Sequence, residues 1–205
     1  MRTPVIHQTD LFHQHGDPDD HWDLACQFAL TYMGEIDLKG VLIDYPPDFA
    51  YGDPSIESVN QMNFITGLSV PVGIGMPRQM MKENPEEMDM TLPGYGGIKM
   101  VLRILEESYE PVIIHIVGSC RDIAAAGRLR PDLFNKKCRA IYLNAGSAID
   151  NGILEYNVDL DPLSYSSIFS IPCPVFWMPC FETAPSRPYK ATFEMGTYGT
   201  YYNFN

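Results

Sequence analysis

Carboxylates crowd one short segment near the amino terminus of the chain. Five aspartates fall between positions 10 and 23 of the sequence: Asp10, Asp17, Asp19, Asp20 and Asp23. Converging carboxylates repel one another, and burial raises their pKa values unless a cation offsets the negative charge. Ca²⁺ binds many oxygen ligands at once, so a loop that offers several aspartates and main-chain carbonyls suits it better than Zn²⁺. The segment therefore predicts a calcium site.

The same spacing is also typical of an ordinary helix amino terminus. Asp17 can cap the helix, and Pro18 can be its first residue. Asp19 and Asp20 would then interact favourably with the positive end of the helix dipole. This interpretation does not account for Asp10, which stands at the end of an apolar run, so both interpretations stay open.

Two histidines in the same loop allow a different kind of metal site. His13 and His15 form a His-x-His pair after the first apolar run, and such a pair can bind Zn²⁺. His115 is the only histidine beyond His21, so no later histidine-rich motif completes a zinc centre. We therefore favour calcium over zinc and keep the zinc hydrolase as an alternative.

The elements that must position these residues follow from the hydropathy pattern. Short apolar runs rich in β-branched residues alternate with segments of helical spacing, as in parallel sheets covered by helices. We predict strands at residues 4–8, 38–44, 70–74, 111–117, 140–143 and 174–178. We predict helices at residues 56–66, 98–108, 121–129 and 162–169. The expected fold class is α/β, with an open, mostly parallel, Rossmann-like sheet and helices on both faces.

A further helix is expected directly after the aspartate-rich segment, and it should end at Gly34. We expect it to pack through one apolar stripe made of Trp22, Ala25, Phe28, Ala29 and Tyr32. Ligands of open α/β sheets bind beyond the carboxyl ends of the strands. Asp10 and Asp44 follow the first two predicted strands, so both fall at that edge.

Composition narrows the class of partner. The formal net charge is -12, which argues against a phosphate-backbone partner because nucleic-acid binding needs clustered Lys and Arg. No segment is apolar over the length that a bilayer requires, and the amino terminus lacks the apolar core of a signal peptide. The five cysteines form no Cys-x-x-Cys pair, which fits reduced thiols. We expect a soluble cytoplasmic protein with a small-molecule ligand, no nucleic-acid or membrane partner, and a homo-oligomeric state. The alternative location is outside the cytoplasm, since an exported protein whose signal was removed would show the same pattern.

Three segments, in this order, carry a family resemblance. The first segment has TD at residues 9–10 and GDPDD at residues 16–20. The second has IHIVGSCRDIAAAGRLR at residues 114–130 and IYLNAG at residues 141–146. The third is EYNVDLDP at residues 155–162. They resemble the DTDPGxDD loop, the GPLTN turn with its MGG strand, and the EFNxxxDP segment of the inosine-uridine-preferring nucleoside hydrolase family. The resemblance implies Ca²⁺-dependent hydrolysis of the N-glycosidic bond of ribonucleosides to ribose and base.

The resemblance also implies roles for particular residues around the metal. Asp10 would bind Ca²⁺ and act as the base that activates the attacking water, and Asp20 would be a bidentate ligand. Arg121 falls where the family supplies a main-chain carbonyl to the metal. The side chain matters little there, because the carbonyl is the ligand.

A second group of residues matches the family's ribose contacts. Asp19 would hold a ribose hydroxyl, Glu155 and Asn157 match the ribose-binding pair, and Asn151 would serve as the upstream amide. Asp44 stands where the family usually has Asn, and it still offers an oxygen. All five are therefore predicted substrate-binding residues.

The sequence departs from the family at its carboxyl end. Family members are longer and supply a final Asp ligand from that part, whereas no Asp follows Asp161 here. We therefore expect residues 1–205 to form one nucleoside hydrolase-like domain that is incomplete at its carboxyl end. The alternative to an enzyme is a degenerate homologue that binds ribose or nucleosides without turnover.

Overall fold

A six-stranded parallel sheet forms the centre of the protein. The computed structural model describes residues 2–12, 18–44, 54–80, 90–91, 93–148, 152 and 154–180. The strands are β1 (Thr3–Thr9), β2 (Ile36–Ile43), β3 (Val72–Ile74), β4 (Val112–Ile116), β5 (Cys138–Leu143) and β6 (Val175–Trp177). Their order across the sheet is β3-β2-β1-β4-β5-β6, and each neighbouring pair is parallel. All six strands lie where the sequence predicts them.

Helices cover both faces of this sheet. They are α1 (Asp19–Met33), α2 (Pro54–Thr66), α3 (Gly96–Glu107), α4 (Arg121–Leu129), α5 (Pro131–Lys137), α6 (Tyr156–Leu160) and α7 (Pro162–Ile168). The larger apolar core lies between the sheet and α3, α4, α5 and α7, and the smaller core lies under α1 and α2. The α/β fold class with helices on both faces is therefore confirmed. Within the described ranges, no helix combines the length and apolar character needed to cross a membrane.

The residues of β1 divide between these two cores. Ile6 packs in the larger core and Val5 in the smaller one, because successive side chains of a strand point to opposite faces. Six consecutive residues of the strand are buried, as expected for a strand with helices on both faces. Burial extends over the polar residues His7, Gln8 and Thr9 as well, which reflects this central position.

The face of α1 that packs on the sheet differs from the predicted stripe. Trp22 and Tyr32 are 58% and 70% exposed, and Ala29 is exposed as well. The buried residues of the helix are Asp20, Leu24, Phe28 and Thr31. Two of these are polar, which a hydropathy pattern does not reveal: Asp20 accepts a hydrogen bond from Thr9, and Thr31 donates one to its own helix. The predicted end of the helix is confirmed, since Gly34 has a φ of 85°.

The strand order creates one point where the chain changes direction across the sheet. The connections from β1 run towards β2 and β3 on one side, and β4 continues the sheet on the other side of β1. In open α/β sheets, the crevice at the carboxyl ends of such neighbouring strands is the usual ligand site. Asp10 follows β1, and Gly118 and Ser119 follow β4, so these residues border that crevice.

Candidate functional site

Two buried carboxyl groups meet at the carboxyl end of β1. Asp10 follows the strand, Asp20 lies in the first turn of α1, and the two side chains are 5% and 8% exposed. Asp20 accepts a hydrogen bond at 2.7 Å from Oγ1 of Thr9, the residue before Asp10, and the charge of Asp20 raises the pKa of Asp10. The structure thus brings together the two predicted metal-binding aspartates.

Asp44 lies beside this pair at the end of β2. Its Oδ1 accepts a hydrogen bond from Gln8 Nε2 at 2.7 Å, and its Oδ2 accepts one from Ser119 N at 2.7 Å. A Cβ atom at Gly118 would lie 2.7 Å from Asp44 Oδ2 and 2.9 Å from Asp10 N. Only glycine therefore lets the ends of β1, β2 and β4 approach one another this closely.

The electrostatics of the cluster disfavour full ionisation. The pKa of Asp10 is raised well above its usual value, first by burial and then by the charges of Asp20 and Asp44. Burial also raises the pKa of Asp44, against the opposing effects of the Arg121 guanidinium and the hydrogen bonds from Ser119 and Gln8. The cluster therefore holds more negative charge than its surroundings compensate, and a proton or a cation would stabilise it.

The donor atoms of this cluster suit a hard divalent cation. Asp10 and Asp20 provide adjacent carboxylate oxygens, the ligand type that Ca²⁺ prefers. Among the residues that the structure describes, no three His, Cys, Asp or Glu side chains are arranged as a metal centre. The two carboxylates would therefore supply part of a calcium shell, and main-chain carbonyls or water would supply other oxygens.

Arg121 opens α4 at the end of the β4 connection, and its side chain has contacts that the sequence did not predict. Nη1 donates to the carbonyl of Met76 at 3.2 Å and Nη2 to the carbonyl of Leu160 at 3.3 Å. Nε lies 3.4 Å from Oδ2 of Asp161, whose carboxylate is fully buried. The guanidinium thus joins the segment after β3 to the α6–α7 junction. The sequence shows only that an arginine stands in place of a neutral residue of the GPLTN turn, and this does not identify its partners.

Asp122 is a second residue that sequence reasoning missed. It is buried, its Oδ1 accepts a hydrogen bond from Met76 N at 2.8 Å, and its Oδ2 has no hydrogen-bond partner among the described residues. Burial and then the charge of Asp44 raise its pKa to about 7. Asp122 stands at the asparagine position of the GPLTN turn, so the available signal was this Asn-to-Asp exchange.

Glu155 caps a helix in this structure. Its Oε1 accepts from Asn157 N at 3.0 Å, and its Oε2 accepts from Gly146 N at 2.7 Å and from Val158 N at 3.4 Å. These bonds fix the amino terminus of α6 against the segment that follows β5. The carboxylate that the resemblance assigns to ribose is therefore also a structural cap.

Asn157 reaches the carboxyl end of β4. Its Nδ2 donates to the carbonyl of Val117 at 3.5 Å, and Val117 directly precedes Gly118. Its Oδ1 is buried and has no hydrogen-bond partner in the part of the chain that the structure describes. A buried acceptor without a donor is costly, so this oxygen suits a ligand hydroxyl.

The remaining predicted residues divide into two groups. Asp19 is the first residue of α1 and precedes Asp20, so it lies at the same edge of the sheet. His13, His15, Asp17 and Asn151 lie outside the described residues. The zinc alternative and the upstream amide therefore stay predictions.

Nucleoside hydrolases of known structure share this fold. The inosine-uridine-preferring nucleoside hydrolase from Bacillus anthracis superposes with a TM-score of 0.61 at 14% sequence identity, over 87% of this chain and 65% of that one. The purine-preferring ribonucleoside hydrolase from Gardnerella vaginalis gives 0.61 at 18% identity, over 86% and 60%. The type III effector XopQ complexed with adenosine diphosphate ribose gives 0.60 at 16% identity, over 88% and 57%.

These matches define a nucleoside hydrolase-like fold. The described chain spans less than two thirds of the length of each of these structures. No protein-family model matches the sequence, and no curated protein matches it. At these identities the likeness establishes the fold and does not distinguish the inosine-uridine subtype from the purine-preferring one.

Proposed function

We propose that the protein hydrolyses the N-glycosidic bond of ribonucleosides to give ribose and the free base. One observation carries the proposal: within a nucleoside hydrolase-like fold, buried Asp10, Asp20 and Asp44 lie together at the carboxyl ends of β1 and β2. Ligands of such sheets bind at the carboxyl ends of the strands. A bare helix-capping role for the aspartates would not require Asp10 to lie beside Asp20.

Asp10 is the residue that we assign to proton transfer. Burial and the neighbouring carboxylates raise its pKa, which makes its carboxylate a stronger base than that of a free aspartate. It would accept the proton of the water that attacks the anomeric carbon. The departing base leaves positive charge on the sugar, and the surrounding carboxylates stabilise that charge.

Asp10 and Asp20, with the main-chain carbonyl of Arg121, would hold Ca²⁺. The ion would lower the pKa of a bound water and fix two ribose hydroxyls. The side chain of Arg121 has a separate task, since it holds the segments around the site through Met76 and Leu160.

The ribose contacts would come from α1 and α6. We assign a ribose hydroxyl to Asp19 and another to Asn157, whose buried Oδ1 lacks a donor among the described residues. Glu155 contributes by orienting α6 through its cap. Asp44 accepts hydrogen bonds with both oxygens, so we assign it to ordering the β4 turn more than to binding sugar directly.

A panel of purine and pyrimidine ribonucleosides, assayed for ribose release, tests the proposal. Asp10→Asn should lower kcat by about 10²–10⁴-fold, because the amide cannot accept the proton. EDTA should abolish turnover, and added Ca²⁺ should restore it. Asp132→Asn is the matched control, since Asp132 is exposed and pairs with Arg130 far from the crevice. Equal activity of Asp10→Asn and the parent protein would refute the assignment.

A second candidate is a protein that binds ribose or nucleosides without turnover. It is favoured by the state of Asp44, both of whose carboxylate oxygens already accept hydrogen bonds, from Gln8 and from Ser119. Calorimetry would then show nucleoside binding that Asn157→Ala weakens, while no ribose is released from any substrate in the panel. The expected homo-oligomer and the cytoplasmic location stay predictions.

A further inference from the structure

Two cysteine side chains meet at the opposite edge of the sheet from the candidate site. Cys138 is the first residue of β5, and Cys173 lies two residues before β6. The two strands pair in parallel, with Ile141 opposite Val175 and Ile141 N donating to Pro174 O at 2.9 Å. Cys173 packs against the same apolar core to which Cys138 belongs. Neighbouring strands lie about 4.8 Å apart, within the range that a disulfide bond spans.

The environments of the two thiols differ in the way that thiol–disulfide exchange requires. Cys138 is buried in the larger core, whereas Cys173 is half-buried at its margin. The neighbouring Cys138 thiol lowers the pKa of Cys173, and Cys173 in turn raises the pKa of Cys138. Burial instead raises the pKa values of Cys26 and Cys120. Because the thiolate is the reactive form, Cys173 is the attacking residue and Cys138 the resolving one.

We propose that Cys138 and Cys173 form a reversible disulfide bond by exchange with a low-molecular-weight disulfide. The thiolate of Cys173 attacks one sulfur of that disulfide, forms a mixed disulfide and releases one thiolate. Cys138 then loses its proton and attacks the Cys173 sulfur, which expels the second thiolate. The two protein thiols lose two electrons in total, and the small disulfide gains them as it becomes two thiols.

The bond would secure the edge of the sheet and the segment that reaches the candidate site. Strand β6 has only 3 residues, and the ring closed by the disulfide would contain residues 138–173. That ring includes α6 and α7, and therefore Glu155 and Asn157. A crosslink restricts the unfolded chain, so the oxidised protein should unfold at a higher temperature. The inference does not depend on the proposed hydrolase activity.

Oxidised glutathione is the probe for this pair. Incubation of the folded, reduced protein should remove two hydrogen atoms from its mass, and a non-reducing peptide map should join Cys138 to Cys173. Dithiothreitol should reverse both changes and the rise in unfolding temperature. Cys138→Ser should stop the reaction at a glutathione adduct on Cys173, whereas Cys173→Ser should leave Cys138 unmodified. Cys26→Ser is the matched control and should behave like the parent protein.

Two results would overturn the inference. One is a peptide map that joins Cys173 to Cys180, which would show that the Cys138 contact is not the reactive one. The other is equal glutathione adducts on Cys26, Cys173 and Cys180 without an internal disulfide, since exposure alone would then set reactivity. Circular dichroism spectra recorded at the reaction temperature should show that the secondary structure is retained. Either result then reports on the folded protein.

Discussion

At the scale of single residues, burial of the Asp122 carboxyl group has a cost that depends on pH. Its carboxyl is buried, and one of its two oxygens has no donor. A Cβ atom at Gly75 would lie against both Asp122 Oδ2 and the main-chain oxygen of Ile43. Two acceptors therefore border the same point, which favours the protonated acid over the carboxylate.

Asp122→Asn should stabilise the protein in alkaline solution. The pKa of Asp122 is raised to about 7 in the fold from 3.8, so the carboxyl costs stability increasingly as pH rises between these values. An amide stays neutral and can donate a hydrogen bond, so the variant should gain up to about 4 kcal/mol at pH 8. The gain should vanish near pH 4, where the acid is protonated in both states. Urea unfolding in EDTA at pH 4 and at pH 8 measures the free energy of unfolding of the variant and of the parent protein. Asp132→Asn is the exposed control. An equal gain at the two pH values would contradict the raised pKa of Asp122.

At the scale of elements, the sequence predicts what depends on local pattern. The strands are apolar and β-branched, and the start of α1 and the end of β1 necessarily share one edge of a parallel sheet. The meeting of Asp10 with Asp20 could therefore be anticipated. The packing face of α1 could not, because Asp20 and Thr31 are buried through hydrogen bonds that hydropathy does not encode.

The contacts of the Arg121 side chain were equally hidden from the sequence. Its three partners come from two separate segments, at Met76 and at Leu160 and Asp161. No spacing rule relates positions so far apart in the chain. Only the fold reveals that one guanidinium links the segment after β3 to the α6–α7 junction.

Arg121→Met should loosen α6 while preserving the main-chain carbonyl of residue 121. Asp161 would keep the hydrogen bonds that it accepts from Met80 N and Ser164 N, so we expect a loss of about 1–3 kcal/mol in stability. Because α6 carries Asn157, the KM for ribonucleosides should rise more than kcat falls. Urea unfolding and steady-state kinetics measure the two effects. Arg130→Met, which removes an exposed ion pair, is the control and should change neither the stability nor the KM. A fall in kcat without a rise in KM would contradict the role of Arg121 in positioning α6.

At the scale of the whole molecule, the charge distribution selects the class of ligand. The chain has 26 acidic and 14 basic residues, and buried Asp10, Asp20 and Asp44 lie together at one edge of the sheet. The guanidinium of Arg121 is already bound to carbonyls and to Asp161. The electrostatics of this edge therefore favour a cationic or uncharged ligand over an anionic one.

Calcium should stabilise the entire fold if it binds at this edge. A ligand that binds only the native state raises the free energy of unfolding, by about 2.7 kcal/mol at a concentration of 100 Kd. Protons compete for the Asp10–Asp20 pair, because the raised pKa of Asp10 keeps it protonated to higher pH than usual. The stabilisation by Ca²⁺ should therefore be larger at pH 8 than at pH 5, the direction expected when cation binding releases a proton.

Differential scanning fluorimetry with Ca²⁺, Mg²⁺ and Zn²⁺ measures this effect. Asp20→Asn should lose the Ca²⁺-dependent rise in unfolding temperature, since it removes one of the two neighbouring carboxylates, whereas Asp132→Asn should retain it. Zn²⁺ should stabilise less than Ca²⁺, because the described donors are carboxylate oxygens and not nitrogen or sulfur. A Ca²⁺ response that survives Asp20→Asn would place the ion elsewhere, and a larger response to Zn²⁺ would favour the histidine-based hydrolase instead.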